Sequence, residues 1–267
     1  RHPTDNSHRH RPHSGLAYAS LVTRMPSIHR RIGRLAPALL FLFAATAAAP
    51  VPALAFAAED LERLRRTGTC LGCDLRDIDL ADITLKRSSL VDSGLRLIDL
   101  SGADLRGSRL RQAPLGRATL RGANLAGAML DEADLRRTDL RDADLTGASL
   151  VLVNLSSARL DAATLVGATL RQAHLDGARL NGAVLAKADM ARANLVRASL
   201  NGADLTDARL QGAFFSETDL HGAKLERADV SGADLSNAQG LVQAQLSRAC
   251  GSPATRLPPW LTVRSCH

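Results

Sequence analysis

The chain has 267 residues, 45% hydrophobic, 23% charged and 3% aromatic, with a formal net charge of +7. Five Phe, one Trp and one Tyr argue against an aromatic-lined enzyme pocket and exclude a base-stacking platform for single-stranded nucleic acid. The charge is unevenly placed. Residues 1–57 hold seven Arg and one acid, and the remainder holds 27 basic and 26 acidic residues, so most of the chain is nearly neutral.

Residues 1–24 are polar and rich in His and Arg, and read as a disordered upstream extension. Met25 opens a stretch with the layout of a secretory signal peptide, residues 25–57. His29, Arg30, Arg31 and Arg34 form a positive n-region, and Leu35 to Ala49 form an apolar h-region. Ala53-Leu54-Ala55 and Ala55-Phe56-Ala57 both fit the small-x-small cleavage rule, and cleavage after Ala57 is expected. The apolar run is shorter than the about 20 residues of a membrane helix, and Pro37, Pro50 and Pro52 interrupt it, so no stable span is expected after cleavage. The competing reading is an uncleaved N-terminal anchor. Residues 58–72 then form an N-terminal cap, with a short helix over Glu59 to Arg66 that places Leu61 and Leu64 on one face.

From Leu75 to Leu235 every fifth residue is large and apolar: 33 positions, of which 30 are Leu and the others Met190, Phe215 and Val230. Ala lies two residues before 23 of them, and Gly lies two residues after twelve. An α-helix would spiral such positions around its surface, because five residues advance it by about 500°. A straight strand would send successive Leu to opposite faces, because its period is two. The chain must therefore bend once per unit. Ala and Leu, two apart on a short extended piece, point inward together, and Gly supplies a turn in which positive φ costs it little.

The unit Ala-Asp/Asn-Leu-x-Gly, as in Ala103-Asp104-Leu105-Arg106-Gly107, resembles that of the pentapeptide-repeat family over Cys73 to about Ala238. The resemblance implies an all-β solenoid: a right-handed quadrilateral parallel β-helix with about 20 residues per coil and short helical caps. With coils about 4.8 Å apart, residues 73–238 would make about eight coils and a rod about 40 Å long. Asp residues before the Leu, such as Asp74, Asp79, Asp104 and Asp144, become turn residues in this register instead of paired acid–base carboxylates.

Repeat stacks need atypical ends. Residues 239–267 read as a C-terminal cap, with a helix over Leu241 to Ala249 followed by a Pro-rich tail. Thr67 to Leu75 and Ala249 to Cys266 also resemble the two ends of exported pentapeptide-repeat proteins. All four Cys lie in these caps, and four Cys allow three pairings. The rod implied by the resemblance separates Cys70 and Cys73 from Cys250 and Cys266, which favours Cys70–Cys73 and Cys250–Cys266 disulfides in an oxidising compartment. Three other uses of Cys70-Leu71-Gly72-Cys73 compete. A redox site wants a helix start in a βαβ context, which is missing. Haem attachment wants His where Asp74 stands. Zinc would want two more ligands nearby.

No nucleophile with a partnered base stands out. His174 and His221 fall at outward positions and His267 ends the chain, and no glycine-rich loop follows a strand. No enzyme activity, cofactor or metal is expected. The reading is a bacterial periplasmic or secreted rod, a protein-interaction or structural module of the cell envelope. Its partner is an unidentified protein, and a homodimer through a cap is compatible. Val91, Val151, Leu152, Val166 and Val196 point outward on the implied coil and are the candidate contact residues. The family resemblance also offers an alternative, a DNA mimic that binds gyrase and protects it from quinolones. The nearly neutral body and the export signal oppose it. Direct nucleic-acid binding is not expected, because Arg106, Arg109, Arg111, Arg117 and Arg121 spread over several sides of adjacent coils.

Overall fold

The computed structural model describes residues 53–70, 73, 75, 80, 83–85, 88–90 and 93–266. The segments read as an upstream extension and as a signal peptide, up to residue 52, lie outside them, as do Asp74, Asp79, Val91 and His267.

All 33 repeat-defining residues from Leu75 to Leu235 are buried. The Ala positions two before them are buried as well, and the residue in between faces outward. Each unit ends in a four-residue turn: the Ala103 N–H donates to the Leu100 carbonyl at 3.1 Å, across Ser101 and Gly102. The third residue of the turn has a positive φ. Glycine is not what sets this conformation, contrary to the expectation above. Sixteen non-glycine residues adopt it too, among them Arg117 (φ 63°), Arg137 (φ 58°) and Leu152 (φ 57°). A left-handed residue costs roughly 1–2 kcal/mol. Hydrogen bonding between coils opposes that cost, as where the Arg137 N–H donates to the Ser156 carbonyl at 3.0 Å.

Parallel bridges join residues 20 apart, as in Asp104 to Asn124 to Asp144. The Leu105 N–H donates to the Asn124 carbonyl (2.7 Å), and the Asn124 N–H donates back to Ala103 (2.8 Å). A coil therefore closes after four units, and each unit contributes to one of four walls. We name the walls by one outward residue: the Pro114, Thr119, Asn124 and Met129 walls. Outward Asp and Asn side chains accept the N–H two residues ahead, Asn124 from Ala126 (3.1 Å) and Asp144 from Thr146 (2.9 Å), the usual Asx turn. At four of the described positions where Ser or Thr replaces Ala the buried hydroxyl donates to a carbonyl, as Thr218 does to Leu195 at 2.6 Å and Thr138 to Leu115 at 3.1 Å, whereas the Ser108 hydroxyl has no partner.

The bridge stack runs past both ends of the repeat pattern, from Thr69 to Arg256. The N-terminal helix, α1, spans Ala53–Thr67, six residues more upstream than expected. Leu64 is buried against the first coil and Leu61 partly so. The C-terminal helix, α2, is only Gln243–Leu246, shorter than the expected Leu241 to Ala249. The chain after it is recruited into the stack instead: Cys250 bridges to Asp229, Arg256 bridges to Asp234, and β1 (Cys250–Gly251) pairs in parallel with β2 (Arg264–Ser265). The Gln245 amide donates to the carbonyls of Leu220 and Ala223, both at 2.8 Å, and closes the last coil. The segment read as a tail is thus part of the cap. Cys70 is joined to Cys73 and Cys250 to Cys266, with Cα separations of 5.4 and 4.8 Å. No helix among the described residues is long and apolar enough to cross a membrane.

Candidate functional site

The Pro114 wall carries the most distinctive outward surface. Its outward residues run Pro114, Asp134, Asn154, His174, Asn194, Phe214 and Asp234. Phe214 is the anomaly. It occupies a position that is otherwise largely polar on this wall, and it is 52% exposed. Leu152, 45% exposed, lies on one bordering turn and Val196 on the other. Together with Gln172, His174, Arg192 and Asn194 these residues line an open groove of about 720 Å³. Gly212 lies beside Phe214 in this groove, with the Arg192 side chain 3.5 Å from where a β-carbon would be. The upper rim is held by Asp234, which accepts from the Ser236 hydroxyl at 2.6 Å. That bond keeps the Asp234 carboxyl below its ordinary pKa.

Twenty-residue stacking sorts the candidate contact residues. Leu152 and Val196 meet in the groove, and half-buried Val151 shares the Leu152 turn. Val166 sits on the turn between the Asn124 and Met129 walls, so it belongs to a different corner. Phe214 escaped the sequence reading because it stands beside Phe215, and the pair passes for one core feature. Its signal was available: it fills the slot that holds Asp or Asn in many units.

Lower on the same wall, Arg96, Gly116, Arg117, Asp134, Arg136, Arg137, Ser156 and Ser157 line a second cleft of about 390 Å³. Arg136 clamps Asp134 through Nε (2.8 Å) and Nη2 (2.7 Å). This fork, with Arg96 contributing at longer range, holds the Asp134 carboxyl below the usual range. The basic run read from Arg106, Arg109, Arg111, Arg117 and Arg121 is dispersed, and only Arg117 reaches this cleft.

Among the described residues one group of possible metal donors lies at a cap. Asp229, Cys250 and Cys266 bring ligand atoms together, but both sulfurs are spent in a disulfide. The same holds for Cys70 and Cys73, which removes the zinc alternative for these thiols.

A family model for pentapeptide repeats matches the chain in eight copies, over residues 70–107, 98–137, 138–177, 163–202 and 198–237. Among solved structures, the chain is similar to HetL, a pentapeptide-repeat protein involved in heterocyst differentiation regulation from the cyanobacterium Nostoc sp. strain PCC 7120. Identity is 31% over 73% of this chain and 97% of that one, with a TM-score of 0.34. It is also similar to full-length QnrB1, a plasmid-mediated fluoroquinolone resistance protein (15% identity, 70% and 94% covered, TM-score 0.31). A third is Rfr23 from the cyanobacterium Cyanothece 51142 (20% identity, 75% and 98% covered, TM-score 0.25). No curated protein matches the sequence.

Proposed function

We propose that this chain, which belongs to the pentapeptide-repeat family, is an exported, non-enzymatic rod that binds a protein partner through the Phe214 groove. We take its coil to be right-handed, as the family implies. One observation carries the reading: Phe214, Leu152 and Val196 surround an open groove on a wall whose outward residues are mainly polar. An aromatic anchor beside aliphatic residues, ringed by polar groups, is the composition of an interface hot spot. A rigid solenoid presents it without ordering cost. The envelope location is supported by the signal-like residues 25–57 and by four cysteines paired within the two caps, since structural disulfides persist in oxidising compartments.

Two experiments test the reading. The intact mass of the protein from its host, measured with and without reduction, should begin at Ala58 or Phe56 and gain four hydrogens. An unprocessed chain with free thiols would overturn the export reading. A photo-crosslinker placed at position 214 should yield an adduct in cells that Leu152→Ser and Val196→Ser abolish. An equal adduct from position 166, at another corner, would overturn the groove. The gyrase-protecting alternative has less support. A DNA mimic wants a strongly acidic face, whereas the Pro114 wall carries the arginine cleft.

A further inference from the structure

The floor of the cleft beneath the Phe214 groove is the unit Ala113-Pro114-Leu115-Gly116-Arg117, where Gly116 alone among the described residues at this turn position is buried. In neighbouring units an outward Asp or Asn accepts the N–H two residues ahead, as Asp134 does from Arg136 (3.1 Å) and Asn154 from Ser156 (3.1 Å). Pro114 has no acceptor to offer, so among the described residues the Gly116 N–H has no hydrogen-bond partner, as is also the case for the exposed-side turn N–H groups of Asp176 and Ser216 on this wall. Gly116 is buried at the cleft floor, at a turn position that is half-buried or exposed in the other described units, with Asp134 Oδ2 3.5 Å from where its β-carbon would be. One rung of the ladder is missing here: the Leu115 N–H turns back to Ala113 (3.0 Å) instead of crossing to Asp134, while the Asp134 N–H still donates to Ala113 (3.0 Å).

Around that floor stand four guanidinium groups and one carboxylate. Arg136 is committed to Asp134. Arg117 and Arg137 have no ion-pair partner among the described residues, and Arg96 acts on the Asp134 carboxylate only at longer range. Arg117 and Arg137 are 20 residues apart on the same turn column, so their backbones stack about 4.8 Å apart with no acid between them. Elsewhere a like position is neutralised across coils, as Arg227 is by Asp207 at 2.6 and 2.7 Å. Like charges on neighbouring coils repel, and a buried N–H without an acceptor is costly. A polyvalent oxyanion would relieve both. Guanidinium forks match phosphate oxygens geometrically.

We propose that this cleft is an anion site for a diphosphate-type group, with Arg96, Arg117 and Arg137 as the charge-bearing ligands and the Gly116 N–H as the floor donor. The site is independent of the Phe214 groove, and neither reading depends on the other. The diphosphate can be free or carried on a lipid headgroup.

The test is titration calorimetry of inorganic pyrophosphate into the full chain with disulfides intact, at low and high salt. It runs beside sedimentation with neutral vesicles and with vesicles doped with a diphosphate lipid. Saturable binding that weakens with salt is expected. Combined Arg117→Ser and Arg137→Ser should lower affinity about a hundredfold. Pro114→Asn, which restores the side-chain acceptor used by other units and leaves every charge in place, should lower it about tenfold. That loss is the fold-change for one hydrogen bond to a charged group. Arg171→Ser, on the turn between the Met129 and Pro114 walls and outside the cleft, should change nothing. Melting curves of each variant separate lost binding from lost fold. Binding to doped vesicles alone would assign the ligand to a membrane surface, and binding of pyrophosphate would assign it to solution. No saturable binding in either arm up to about 1 mM, unaltered affinity in Pro114→Asn, or an equal loss in Arg171→Ser would overturn the site.

Discussion

Phe214 and Phe215 are adjacent in the chain and stand on opposite sides of one wall: Phe215 is 0% exposed and Phe214 is 52% exposed. Phe215 fills a core position that Leu occupies in most other units. Phe215→Ala should therefore cost about 3–5 kcal/mol through the cavity it leaves, read as a lower melting temperature. Phe214→Ser should change stability by less than about 0.5 kcal/mol and remove partner binding. A large stability loss in Phe214→Ser would mean that this ring packs on the wall and offers no contact surface.

Gly240, at φ 68°, lies under the imidazole of His221: a β-carbon there would sit 2.3 Å from the ring. The ring is itself held by Asp219, whose Oδ1 is 2.6 Å from Nδ1. Gly240→Ala should lower stability by about 1–2 kcal/mol from backbone strain and further through displacement of the ring. Adding His221→Ala should recover only the second part. Gly127→Ala, with φ 65° and nothing within 4 Å, should show the backbone cost alone. Equal melting temperatures for the Gly127 and Gly240 variants would remove the steric argument.

The Cys250–Cys266 disulfide closes a 16-residue separation at the C-terminal cap. Replacing both with Ser should cost about 3 kcal/mol in the chain-entropy account. The loss should be local, because solenoid coils interact mainly with their neighbours. Hydrogen exchange should accelerate at Cys266, whose N–H donates to Gly251 (2.9 Å), and at Arg256. Protection at Asn124 and Asp144, in the middle of the stack, should stay unchanged.

Asp134 and Asp139 both have carboxyl pKa values held below the ordinary range, chiefly by side-chain hydrogen bonds from Arg136 and Arg141. A depressed folded-state pKa stabilises the fold above the unfolded value of about 3.9, and the contribution disappears as pH falls through the folded pKa. Melting temperature should be level from neutral pH down to about 5 and should drop below about 4. Asp139→Asn should start lower at neutral pH and show a shallower acid drop. An unchanged acid profile in Asp139→Asn would mean that the Arg141 pair is fully screened by solvent.

The periodic apolar residue at every fifth position was sufficient, by itself, to determine what is inside. A spacing of five suits neither helix nor strand, so it forces one bend per unit and sends Leu and Ala inward, and the buried residues follow. The same residues identified Cys70, Cys73, Cys250 and Cys266 as belonging to caps. The sequence could not show which outward residues are neighbours. Leu152, His174 and Val196 are 22 residues apart from one to the next, and they meet only because the coil closes after four units. That closure comes from chain geometry and hydrogen bonding between coils, not from anything repeated at period five. The cleft at Gly116 was hidden for the same reason. Arg96, Arg117 and Arg137 look scattered along the chain, and a Pro in an Asp or Asn slot looks like an imperfect repeat. Only the stacked structure places that Pro, and the buried Gly116 after it, beneath Arg96, Arg117 and Arg137.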